Sequence, residues 1–98
     1  MNEQKTASYT PGPWDVEAED NNNFICDENG HTVAQIYERS NADVNHANAR
    51  LIAAAPELLL MCKTLLGLVM AIRSGVAVDL DSVHAEAYAA LNKATGAA

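Results

Sequence analysis

Apolar and polar residues alternate from Trp14 to Glu17, further short strand-like runs follow as far as Tyr37, and from position 41 onward the apolar residues recur every three or four positions. Alternation is the period of a strand and recurrence every three or four positions that of a helix. Trp14-Asp15-Val16-Glu17 reads as a half-buried strand, and Asp20-Asn21-Asn22-Asn23 reads as a loop. Two further strand-like runs, Phe24 to Glu28 and His31 to Tyr37, flank Asn29-Gly30. Asn-Gly in that setting predicts a two-residue hairpin turn, because both turn positions need positive φ. Such a turn sets Glu28 opposite His31, Cys26 opposite Val33 and Ile25 opposite Ala34. Both hairpin faces then carry apolar groups. One packs on the helices, and the other needs Trp14 or a second chain to cover it.

Ser40, Asn41 or Asp43 caps a helix running to about Ala54. Pro56 cannot continue that helix but suits the first turn of a new one, where Glu57 meets the positive dipole end. The second helix runs from Pro56 to Arg73 and stops at Ser74-Gly75. Asp79 or Asp81 caps a third, which runs to about Ala94 and ends at Thr95-Gly96. The expected fold is α+β: a small antiparallel sheet of about three strands followed by three helices. It forms a single domain over residues 10–98, with residues 1–9 as a flexible tail.

The second helix has an unusual pattern. Leu58, Cys62, Leu65, Val69 and Ile72 fall on a 4-3-4-3 spacing, and Leu59, Leu60, Met61, Leu66, Leu68 and Met70 fill most of the remaining surface. A helix apolar nearly all round must be buried nearly all round. It is therefore expected at the centre of the domain. Three strands and two helices cannot cover it completely, so Leu58, Leu65, Val69 and Ile72 are expected to meet another subunit in a homo-oligomer, most simply a dimer. No uninterrupted run of about 18 apolar residues exists, so no membrane-spanning segment is expected. The polar start, Met1 to Thr6, lacks an apolar signal core and points to the cytoplasm.

Charge adds a second theme. The net charge is −7, and no Lys or Arg falls between Lys5 and Arg39. A surface of this sign repels phosphates, which disfavours direct nucleic-acid binding. Asp15, Glu17, Asp27 and Glu28 are candidate contacts to a partner with a basic surface; solubility is the plainer account of the same charges. A different group can serve a small nucleotide. His46 and Arg50, four apart, share a helix face and can hold an anion, with Asn48 nearby and Trp14 or Tyr37 to stack on a base. The plainer account pairs Arg50 with an acidic hairpin residue, gives Asn48 to backbone groups, and makes Trp14 and Tyr37 core or lid. No nucleophile elbow, phosphate loop or Cys-His pair suggests catalysis, so no enzymatic activity and no cofactor are expected. His31, His46 and His84 show no metal-ligand spacing, and Cys26 and Cys62 read as free thiols.

Three pieces of the chain resemble a family of short proteins encoded by tailed bacteriophages and prophages. They are Thr10-Pro11-Gly12-Pro13-Trp14, the hairpin from Ile25 to Ile36, and Ala47-Asn48-Ala49-Arg50-Leu51-Ile52-Ala53-Ala54-Ala55-Pro56-Glu57-Leu58-Leu59. Leu91 to Gly96 is similar to a looser closing pattern. The resemblance implies a non-structural accessory protein of a phage, working in the host cytoplasm. Many such proteins block host defence. The expected function is thus a counter-defence inhibitor, such as an anti-CRISPR protein, that binds a host immune protein. The alternatives are a sponge for a cyclic-nucleotide signal and a regulatory or assembly protein of the phage.

Overall fold

Three antiparallel strands and three helices succeed one another in the computed structural model, which describes residues 9–19, 22–37 and 41–96. The strands are β1 (Asp15–Glu19), β2 (Asn22–Cys26) and β3 (Thr32–Ile36), in spatial order β1-β2-β3. The helices are α1 (Ala42–Ala53), α2 (Ala55–Arg73) and α3 (Leu80–Thr95). This is the α+β arrangement the periodicity predicts. All of the expected tail except Tyr9 lies outside the described residues, as do Asp20 and Asn21 of the expected loop. Asn22 and Asn23, expected in that loop, begin β2 instead.

The hairpin turn sits one residue earlier than Asn-Gly predicts. The Gly30 N–H donates to the Asp27 carbonyl at 3.0 Å, and the Asp27 N–H to the His31 carbonyl at 2.9 Å. Glu28 and Asn29 are therefore the central turn residues, and Gly30 follows in the left-handed region with φ 84°. The Asp27 carboxylate accepts from the N–H groups of Asn29 and His31, at 3.0 and 2.9 Å. That side-chain cap selects the longer turn, and a bulge absorbs the extra residue. Ile25 still faces Ala34, but Cys26 faces Thr32 rather than Val33.

Val16, Ile25 and Ala34 lie side by side on one sheet face, and α1 covers them. Ala49 and Ala53, four apart on α1, meet Ile25 there; all three are at most 2% exposed. Alanines at these positions let the helix axis come close to the sheet. Trp14 packs against the same cluster, so it does not cover the other face as anticipated. That outer face carries Glu17, Glu19 and Gln35 exposed, around a half-buried Phe24 and a buried Cys26. Both cysteines are free; Cys62 is exposed.

The helix ends follow local chemistry. Asn41 Oδ1 accepts from the Val44 N–H at 2.9 Å, and Asp79 Oδ1 from the Ser82 N–H at 3.2 Å. Ala54 is the joint between α1 and α2, with φ −86° and ψ −1°, and Pro56 follows in the first turn of α2. Gly96 ends α3 with φ 75°.

The expectation that the second helix forms the centre is overturned. Among its residues only Met61 is buried, while Leu60, Leu66 and Met70 are 61, 63 and 60% exposed. α1 lies against the sheet and α3; α2 touches α3 and α1 but no strand. The reason is width. Three strands about 4.8 Å apart make a face roughly as wide as one helix. α1 occupies that face, and the chain then turns away at Ala54. The domain measures 52 × 39 × 19 Å with a radius of gyration of 16.4 Å, against about 13 Å for a compact domain of 100 residues. By length and composition alone α2 is long and apolar enough to cross a bilayer, although Glu57, Lys63 and Thr64 interrupt its apolar run.

Candidate interaction surfaces

Asp15, Glu17 and Glu19 occupy alternate positions of β1, about 6.6 Å apart, on the face turned away from α1. All three are exposed. Among the described residues β1 pairs only with β2, so this acidic row lines a sheet edge. Charges at an edge also block unwanted strand addition. Glu17 and Glu19 border a shallow hollow with Phe24, Cys26 and Thr32. Asp15 lies opposite Cys26, at the end of the sheet next to the turn, where Glu28 is exposed. Asp27 differs from its neighbours. Its side chain is 13% exposed, it holds the turn, and the His31 imidazole lies 3.6 Å away. Asp27→Ala is expected to lower stability by about 1–2 kcal/mol through the two lost turn hydrogen bonds. Urea unfolding measures this, with the equally acidic Glu28→Ala as the near-neutral control.

The residues proposed for a small nucleotide do not converge. Arg50 runs across Gly96, where an added Cβ would lie 2.5 Å from its Nε. There the guanidinium meets the negative dipole end of α3. Its Nε is buried with no hydrogen-bond partner, and among the described residues no acidic group of the hairpin pairs with it. The His46 Nδ1 and Asn23 Oδ1 are 3.1 Å apart, which ties His46 to the sheet instead. Asn48 is exposed, roughly 160° round α1 from Arg50. The Trp14 indole N–H is directed at the carbonyls of Thr10 and Pro11, each at 3.2 Å, and Tyr37 is 77% exposed beyond β3. His46 and Arg50 share a helix face, but different neighbours draw them apart.

A polar junction that the sequence does not announce joins the two ends of the domain. The Lys93 ammonium of α3 donates to the Trp14 carbonyl at 2.8 Å and to Glu57 Oε2 at 3.0 Å. Beside it Gly12 rests on Pro56; a Cβ at Gly12 would lie 2.6 Å from the proline ring. A glycine between two prolines was the available signal for that close approach.

Of the expected oligomer contacts, Leu58 is half-buried, while Leu65, Val69 and Ile72 are 43, 51 and 53% exposed. Leu59, Leu66 and Met70 are exposed beside them. Among the described residues no group of three or more His, Cys, Asp or Glu side chains is placed to hold a metal ion.

Fold and surface define a small α+β protein with an acidic sheet edge at one end and an apolar helix face at the other. The model of the family described as Salmonella phage P22 protein Y8K6 matches residues 1–98, and the chain belongs to that family. No curated protein and no solved structure matches it. The match spans the whole chain and does not single out residues 47–59, on which the resemblance chiefly rested.

Proposed function

We propose that this phage protein is a non-enzymatic counter-defence inhibitor, of the anti-CRISPR kind, acting in the host cytoplasm. It binds a basic surface of a host defence protein through the outer face of its sheet. The observation that carries this reading is the exposed row Asp15, Glu17, Glu19 on an edge strand, with Glu28 at the adjoining turn. Defence proteins that handle nucleic acid must present Lys and Arg to phosphates. An acidic face complements such a surface, raises the encounter rate and selects the partner. Membership of a phage protein family supports the setting. The small-nucleotide reading has no comparable support, because its residues point to different neighbours.

The test is a pull-down from host lysate with the intact chain, repeated with Asp15→Lys, Glu17→Lys and Glu19→Lys combined. Exposed charges contribute within about 0.5 kcal/mol each, so the fold should survive. Asp27 stays unchanged because the turn depends on it. The expected result is a host protein captured by the parent chain, more weakly at high salt, and lost with the reversed edge. Equal capture by both chains, or no host protein captured by the parent chain, would reject the proposal.

A further inference from the structure

We infer that the exposed face of α2 takes a second copy of this chain, and that two α2–α3 hairpins close into a four-helix bundle. Leu58, Cys62, Leu65, Val69 and Ile72 run down one side of α2 on the spacing of a knobs-into-holes seam. With Leu59, Leu66 and Met70, the apolar arc spans roughly 160° at 100° per residue. That is wider than a single seam and fits contact with two helices at once, as in a bundle made from two hairpins. The opposite side of α2, at Leu60 and Met61, borders α3.

Charge and size favour a second copy over other occupants. The net charge is −7, yet residues 55–98 hold four acidic and three basic groups, a net of −1; residues 1–54 carry the other −6. Two copies therefore meet at nearly neutral ends and keep their acidic edges apart. A two-fold pairing needs one self-complementary patch, which this helix face, apolar except for Arg73 in its last turn, provides. A helix of 19 residues is about 28 Å long, and two helices about 10 Å apart cover roughly 560 Å² in plan. This is the scale of the about 800 Å² of accessible surface that a stable interface takes from each partner. A bilayer fits poorly. α3 packs along α2 with Asp81 and Glu86 exposed, and Lys63 stands exposed on α2 itself, so insertion would bring these charges into hydrocarbon.

The experiment uses the full chain. Sedimentation from about 1 to about 100 µM should show a species of about 21 kDa, twice the 10.5 kDa chain, growing with concentration. Cys62 lies on the seam and Cys26 is buried, so maleimide reports on the interface directly. Labelling of Cys62 should slow about tenfold over the same range as the dimer forms. Leu65→Glu with Val69→Glu should give a helical monomer whose Cys62 labels at one rate throughout. Gly67→Ala is the control: its Cβ meets nothing within 4 Å and lies on the other side of α2, so the dimer should persist. If the double variant fails to fold, thiol protection in the parent chain decides alone. A 10.5 kDa species at the highest concentration with constant Cys62 labelling would overturn the inference. So would a monomer that co-sediments with phosphatidylglycerol vesicles.

Discussion

Ile25→Ala is expected to lower the melting temperature by roughly 12–24 °C, measured by far-UV circular dichroism. Ile25 is the largest fully buried side chain, wedged between Ala49 and Ala53 of α1 and flanked by Val16 and Ala34. Removing three carbons from such a site costs about 3 kcal/mol, part transfer and part cavity. In a domain of this size each kcal/mol shifts the midpoint by about 4–8 °C. The alanines facing Ile25 have no side chain that can move in to fill the gap. Leu60→Ala deletes the same number of carbons from a residue 61% exposed, and should cost under about 1 kcal/mol. A similar midpoint shift for both variants would mean that the core does not lie between β2 and α1.

Lys93→Ala should cost about 2 kcal/mol in urea unfolding. Its ammonium bridges two elements distant in sequence, the Trp14 carbonyl before β1 and the Glu57 carboxylate at the start of α2. Both charged side chains are about one-third exposed, 28 and 33%, so solvent weakens the pair below a buried one. Two hydrogen bonds from a charged donor still contribute more than a neutral pair. Glu57 Oε1 is buried without a partner, so losing Lys93 leaves the whole carboxylate without one. A double-mutant cycle with Glu57→Ala should show a coupling of about 1 kcal/mol. Coupling below about 0.3 kcal/mol would reduce the pair to a surface contact.

What could be read from the chain was mostly local. Asn41, Asp79 and Gly96 mark the helix ends because caps involve residues three or four apart. The Pro56 break is equally local. The pairing of Ile25 with Ala34 was legible, but the turn and the partner of Cys26 were missed because the Asp27 carboxylate, rather than Asn29-Gly30, decides the turn. The place of α2 was missed for another reason: its composition demands burial but does not say what buries it. The width of a three-stranded face decided that, in favour of α1. Asp15 and Glu17 could be placed on one face from alternation alone; Glu19 joins them only because β1 runs two residues further than the strand read from Trp14 to Glu17. Lys93 and Glu57 could not be paired across the 36 intervening steps of chain. Nor could the divergence of His46 and Arg50 be foreseen, since Asn23 and Gly96 cause it.

That α2 touches no strand has a consequence for how such a protein can change. Substitutions on the acidic edge and on the apolar helix lie in separate layers, and effects at well-separated sites combine nearly additively. A lineage can rewrite one surface without first repairing the other. Selection acting on the sheet edge then leaves the helices as they were, and the two surfaces can evolve at different rates within one chain.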